Sequence, residues 1–300
     1  MKCQIKVFAN IYSCAELITM RIDKNRKTVR ASTVKSYSSK GSVVYDDPMN
    51  KNFLYGEITM KFLDHLEFSP KEKVVLDLGC GTGFIFEYLF SKFHTLDLLG
   101  IGIEPAMGML NMAIEKHKDE KRFSYYEGSF ENIPLGNGSV DKIVSTLALH
   151  WVKSLPVAAQ EMRRVLRNDG NLNILMIAKD DGEQFKKAIV SALRKHLTFS
   201  QIMETAVLVQ RASPKQVKQA FAPHFEGFEI QVEKFTDIIY GNFEEHMKWW
   251  KARSSPVIAE VTNKERFMND LQVELEKTQT IDGIPFDTAY MWIKIRKNSQ

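Results

Sequence analysis

Between residues 73 and 178 short apolar runs alternate with stretches of helical spacing, and this rhythm constrains the fold more than any other feature. Residues 73–78 (KVVLDL), 98–104, 123–127, 140–147 and 172–178 read as strands. Residues 84–93, 106–117 and 157–166 read as the helices between them, and Asn168-Asp169-Gly170 reads as the turn that stops the third. Strands alternating with helices require crossover connections, hence a parallel sheet covered on both faces. A further helix is expected over 49–66, before the first strand.

After residue 180 the rhythm changes. Helices are expected over 183–197, 201–210, 214–221, 243–252 and 264–277, and strands within 228–240 and 288–296. A helical cap insert at about 183–222 thus follows the fifth strand, and two late strands rejoin the sheet. The insert is expected over the carboxyl ends of the strands, where open α/β sheets bind ligands.

Charge divides the chain unequally. Residues 1–45 hold nine Lys/Arg against Glu16 and Asp23, a net +7, whereas the rest holds 32 bases and 35 acids, a net −3. The first part reads as a basic, partly flexible arm, and 46–300 as a single domain. A body of −3 has no electrostatic footprint for a long nucleic acid, so no nucleic-acid partner is expected. The longest strongly apolar runs, such as 172–178, are far too short to span a bilayer. Cys3, Cys14 and Cys80 form no metal-binding spacing, and their odd number suits a reducing, cytoplasmic setting.

The sharpest motif is VVLDLGCGTG, residues 74–83, between an expected strand and an expected helix. Gly79, Gly81 and Gly83 allow a tight turn and close approach of a ligand to the backbone. Glu104 closes the next strand 21 residues beyond Gly83, where an acid accepts hydrogen bonds from ribose hydroxyls. A dinucleotide site is the obvious competitor. The glycine spacing is GxGxG rather than GxGxxG, however, and Asp77 aims a negative charge at the loop. That charge repels a pyrophosphate and favours an ammonium or sulfonium.

DLGCGTG followed by IGIEPAMGML resembles the class I S-adenosylmethionine-dependent methyltransferases, and the resemblance extends through GSFENIPLGNGSVDKIVSTLALHWV and EMRRVLRNDGNLNILMI. It covers residues 40–180 closely and the remainder more loosely. Within the class the chain is most similar to the small-molecule and carboxyl branch: the trans-aconitate, malonyl-carrier-protein and juvenile-hormone-acid types. The resemblance implies a Rossmann-like, doubly wound, mostly parallel seven-stranded sheet, and S-adenosyl-L-methionine as cofactor. It implies that Asp77 and Gly79 hold the methionine amino group and that Gly81 and Gly83, with Cys80 beside them in the loop, make room for the cofactor. Glu104 would bind both ribose hydroxyls, with Pro105 and Met107 flanking the adenine. Ser129 stands where the family usually has Asp for the adenine amino group, and the Phe130 N–H can still serve the ring. Leu147 would cover the methionine arm.

Chemistry is expected past the fourth strand, at Leu147-Ala148-Leu149-His150-Trp151. The resemblance turns His150 and Trp151 toward the substrate. His150 is the candidate catalytic residue, as general base, as donor to the substrate or as a structural residue of the loop. Trp151 reads as pocket wall. In the tail, Arg253 is a candidate for a substrate carboxylate, and one of Trp249 and Trp250 for the pocket; Trp250 is chosen. Tyr37, Tyr45 and Tyr55 are weaker candidates for closing the pocket from above. No Asn/Asp-Pro-Pro-Tyr follows the fourth strand, which argues against adenine and glutamine amino methylation. The expected activity is in-line methyl transfer to a small molecule, with a carboxylate oxygen favoured. A small-molecule N-methyltransferase and a non-catalytic, cofactor-binding assembly factor are the alternatives.

Overall fold

The computed structural model describes residues 55–206, 211–253 and 260–298. The basic arm, with Tyr37 and Tyr45, lies outside the described residues.

The chain order is α1 (Tyr55–Asp64), β1 (Val74–Leu78), α2 (Phe84–Lys92), β2 (Leu99–Glu104), α3 (Met107–Lys116), β3 (Phe123–Glu127), β4 (Val140–Thr146), a 3₁₀ turn (Leu149–Trp151), α4 (Leu155–Val165), β5 (Leu166–Ile177), α5 (Glu183–Leu193), α6 (Phe199–Ala206), α7 (Pro214–Phe221), β6 (Phe228–Gly241), α8 (Phe243–Arg253), α9 (Lys264–Glu276) and β7 (Ile284–Lys297). Seven strands form one sheet in the order β3-β2-β1-β4-β5-β7-β6. Strands β1 to β5 pair in parallel, and β7 runs antiparallel to both β5 and β6. The strand order reverses between β1 and β4, so the carboxyl ends of these two strands flank the natural ligand crevice.

Two apolar layers cover the sheet. One joins Ile58, Phe62 and Leu63 of α1 to α2, α5 and α9; the other joins Ala158 and Met162 of α4 to Val217 and Phe221 of α7. The helices show why: α4 buries Leu155, Ala158, Ala159, Met162 and Val165, a single face at three- and four-residue spacing. Ser154 caps it, and Ser213 with Gln216 forms a capping box at the start of α7. Central strands are buried on both sides, as in β4, whereas the edge strand β3 is mostly exposed.

Two expectations change. The turn expected at Asn168-Asp169-Gly170 lies inside β5. Val140 pairs with Leu166 but Lys142 pairs with Asn171, so these residues form a bulge. Gly170 is required there because a Cβ would stand 2.7 Å from the Asp141 carbonyl oxygen. The expected cap at 183–222 divides. Its first helix, α5, lies in one layer and its last, α7, in the other, because each buries an apolar stripe against the sheet.

Candidate functional site

The glycine loop leaves β1 at the centre of the sheet, where Asp77 pairs with Gly102 on one side and Val144 on the other. Gly79, Gly81 and Gly83 all take positive φ, at 74°, 54° and 81°. That region is strained for residues with a Cβ, which accounts for three glycines in five residues. The Gly79 and Cys80 N–H groups both donate to the Ile103 carbonyl, at 2.8 and 3.1 Å, and Gly83 N–H donates to the Cys80 carbonyl at 2.9 Å. The loop is therefore closed by its own backbone.

Protein, as well as ligand, occupies the space the glycines leave. A Cβ on Gly79 would stand 2.3 Å from Ala148 Cβ, and one on Gly83 would stand 2.7 Å from both His117 Cε1 and the Tyr125 hydroxyl. Room at Gly83, implied for the cofactor, is thus needed by a buttress from α3 and β3. There Tyr125 Oη and His117 Nδ1 share a hydrogen bond of 2.6 Å with their rings stacked, and His117 Nε2 lies 3.3 Å from Glu87. Sequence reasoning missed this pair, because neither residue falls in the loop motif. Its only trace in the sequence is a polar ring on a strand beside the loop.

Two carboxylates face the loop. Asp77 is fully buried, and neither of its oxygens has a hydrogen-bond partner among the described residues. Burial, reinforced by Glu104, pushes its carboxyl well above the usual range. Glu104 closes β2. Its Oε2 accepts from Gly81 N–H at 3.1 Å and its Oε1 from Ala106 N–H at 2.9 Å. Burial raises its pKa against the pull of those two donors. Each carboxylate oxygen of Glu104 keeps capacity for a second donor. A buried carboxylate with no partner costs free energy unless a ligand supplies one. The pair therefore calls for a cationic group at Asp77 and hydroxyl donors at Glu104.

The other expected cofactor residues gather around this pair in part. Cys80 is buried, its thiol pushed well up by burial and then by Asp77 and Glu104, so it stays protonated and unreactive. Phe130 is buried, and its ring edge lies 3.6 Å from a Cβ built on Gly79. Met107 opens α3 with 42% of its surface exposed beside the half-buried Pro105. Ser129 exchanges backbone hydrogen bonds with Asn132, both at 3.1 Å, which fixes the turn after β3. Leu147 has φ 54°, the single positive φ outside glycine among the described residues, while its N–H donates to the Leu175 carbonyl at 2.8 Å. A left-handed leucine at the mouth of the crevice is backbone strain held by the surrounding structure, as functional sites often hold it.

His150 lies in the 3₁₀ turn that follows, buried, with its ring 5.2 Å from that of half-buried Trp151. Trp250 sits elsewhere: on α8 it is buried in the apolar layer, its ring 6.3 Å from that of Phe267 of α9. Packing accounts for it. The side chain of Arg253 lies outside the described residues. Tyr55 is buried, and its hydroxyl donates to Asp181 Oδ2 at 2.6 Å.

The sheet order, the glycine loop and the acid pair agree with what the chain is similar to. Residues 76–174 match the family model described as a methyltransferase domain. That match covers about a third of the chain. A malonyl-[acyl-carrier protein] O-methyltransferase of Pectobacterium atrosepticum is 34% identical over 114 residues, 38% of this chain and 42% of that protein. Among solved structures, YcgJ of Bacillus subtilis aligns with TM-score 0.54 at 18% identity, covering 82% of this chain and all of that one. A phosphoethanolamine N-methyltransferase 2 of Haemonchus contortus, in complex with S-adenosylhomocysteine, aligns with TM-score 0.55 at 16% identity over 86% of this chain and 57% of that one. The matches span about a third to a half of the length of the first curated relatives. Among the described residues, no helix is long and apolar enough to cross a membrane.

Proposed function

We propose that this chain transfers a methyl group from S-adenosylmethionine to a carboxylate oxygen of a small molecule. One observation carries the cofactor reading: buried, unpartnered Asp77 beside Glu104 at a glycine loop. The residues fit this ligand, which brings a cationic amino-acid end and a ribose diol. Asp77, with the Gly79 loop, would take the ammonium group, directly or through water. Glu104 would take the ribose hydroxyls, and Pro105, Met107 and Phe130 would bound the adenine. When bound, S-adenosylmethionine would supply an electrophilic sulfonium methyl, open to in-line attack by an acceptor oxygen with S-adenosylhomocysteine as the leaving group. The chain's part is to align and desolvate the two reactants, an effect worth ~7–11 kcal/mol of barrier in favourable cases.

The O-methyltransferase relatives support a carboxylate acceptor. A carboxylate is already ionised at neutral pH and needs no base. In this reading His150 and Trp151 shape the pocket and orient the acceptor. The sparse cysteines, three in number, support a cytoplasmic setting. The N-methyltransferase neighbour is the observation that keeps an amine acceptor as the second reading. An amine needs its proton removed, and His150 is then the base.

The test is a pH–rate comparison of wild type and His150→Ala, with acceptors found by labelling metabolite extracts with methyl-tritiated cofactor. A carboxylate acceptor gives a loss nearly independent of pH above neutrality. A loss of ~10²–10⁴-fold that shrinks at high pH assigns His150 as base and overturns the carboxylate reading.

A further inference from the structure

Past the end of β4 the sheet does not stop. Leu147 N–H donates to the Leu175 carbonyl and the chain then turns away into the 3₁₀ turn. Just past β5, Ala178 forms a parallel bridge with Ala212, and Lys179 N–H donates to the Ala212 carbonyl at 3.1 Å. On its other side Ala178 N–H donates to Ala289 of β7. Groups along a strand alternate between its two neighbours, so Ala212 occupies the lane that β4 has vacated. The segment carrying Arg211 therefore continues the line of β4 past the carboxyl end of that strand, roughly 10 Å beyond its last paired residue at ~3.3 Å per residue.

Arg211 is fixed there. Its Nη1 donates to the Asp181 carbonyl at 2.8 Å and to Asp181 Oδ2 at 3.0 Å. Asp181 is fully buried and also accepts from the Tyr55 hydroxyl at 2.6 Å and from Ala289 N–H at 2.9 Å. Three elements far apart in sequence thus meet on one carboxylate. These contacts occupy one nitrogen of the guanidinium. Nε and Nη2 have no partner among the described residues, and the side chain is 24% exposed. Lys186 is the second cation, within electrostatic range of both Arg211 and Asp181. The nearby acids are engaged elsewhere: Asp287 accepts from the Glu183 and Gln184 N–H groups, and Glu183 pairs with Lys187. Lys186 also feels Asp287 and Glu183, so the free edge of the Arg211 guanidinium, rather than a net local charge, is what the cluster offers an anion.

We propose that Arg211, held by Asp181 and Tyr55, receives the carboxylate of the methyl acceptor. This rests on the methyltransferase reading above and deepens it. A guanidinium held at one nitrogen presents its remaining edge as a preorganised fork for a carboxylate. One N–H on the non-attacking oxygen orients the acceptor and leaves a lone pair of the other oxygen for the methyl carbon. The new O–CH₃ bond forms as the C–S bond breaks, its electron pair passes to sulfur, and no proton moves. Tyr55 acts through Asp181 and is a positioning residue.

The experiment uses the full chain and the probes acetate, octanoate, dodecanoate, phenylacetate and malonyl-coenzyme A, each beside its primary amide. Methyl transfer is measured with labelled cofactor, and binding by calorimetry with S-adenosylhomocysteine saturating. Wild type is expected to bind and methylate one or more acids and none of the amides. In Arg211→Gln the dissociation constant and KM of the acid should rise roughly tenfold or more, with kcat moved less, as loss of a charge-assisted bond gives. Arg211→Lys should recover part of that loss, and S-adenosylhomocysteine affinity should stay within about twofold in both. Equal use of acids and amides, or an Arg211→Gln variant with unchanged acid binding, overturns the proposal. So does a fall in S-adenosylhomocysteine affinity matching the fall for the acid, because Arg211 is then only a structural pin. If Arg211→Gln does not fold, Arg211→Lys decides: an unchanged acid KM overturns the proposal. Wild type that binds S-adenosylhomocysteine but none of the acids also overturns it and leaves the cofactor reading intact. Wild type that binds no S-adenosylhomocysteine overturns the cofactor reading itself.

Discussion

Asp77, buried without a partner, is a stability cost that the proposed function explains. Its folded pKa is raised above that of an unfolded aspartate by burial and by Glu104. The folded chain therefore binds that proton more tightly than the unfolded one. In the ligand-free chain this contribution favours folding at low pH, and is lost as pH rises from the ordinary aspartate range through the raised value. Asp77→Asn removes the charge while keeping the shape. It should raise the stability of the ligand-free chain at neutral pH by about 1–3 kcal/mol, read as an upward shift in denaturation midpoint, and sharply weaken S-adenosylhomocysteine binding. A destabilised Asn variant would show that Asp77 is a structural residue. Glu104 is raised by burial as well. A cationic ligand favours both carboxylates ionised, so its affinity should fall as pH drops below neutrality, and binding at mildly acid pH should release protons. Calorimetry in buffers of different ionisation enthalpy measures that release; uptake of protons would contradict the assignment. Gly79→Ala places a Cβ against Ala148 at a positive φ and should destabilise the chain by at least about 2 kcal/mol in chemical unfolding.

Elements whose reason is local were legible in the sequence. VVLDL followed by three glycines marked β1 and the loop, and the helix expected over 214–221 forms as α7 at those ends. The bulge in β5 was not legible. Asn-Asp-Gly carries turn chemistry in isolation, and only pairing with β4 and β7 holds it inside a strand. Trp250 illustrates the same limit: a Trp-Trp pair on a helix does not say which ring meets the α9 packing face. Asp77 and Glu104 were readable because their positions at strand ends follow from chain order alone. The contacts of Tyr55, Asp181 and Arg211, and of His117 with Tyr125, are made by folding, across separations that no motif spans. At this scale Ser213→Ala should cost about 1 kcal/mol by removing the capping box of α7. Thermal unfolding measures it, and no loss would mean that α7 is held by packing alone.

For the molecule as a whole, everything rests on the crevice between the carboxyl ends of β1 and β4. Similar solved structures establish the fold, and a fold of this kind hosts more than one chemistry. In the proposed reading, buried Asp77, half-buried Glu104 and the glycine backbone between them tie this chain to one cofactor. The most direct measurement is a calorimetric titration of the full chain with S-adenosylhomocysteine at neutral pH, run beside Glu104→Ala. Loss of charge-assisted bonds to two hydroxyls, each worth roughly 1.5–3 kcal/mol, should weaken binding at least tenfold in a variant that remains folded by circular dichroism. Wild type that does not bind, or a folded Glu104→Ala variant that binds as tightly as wild type, would contradict the account.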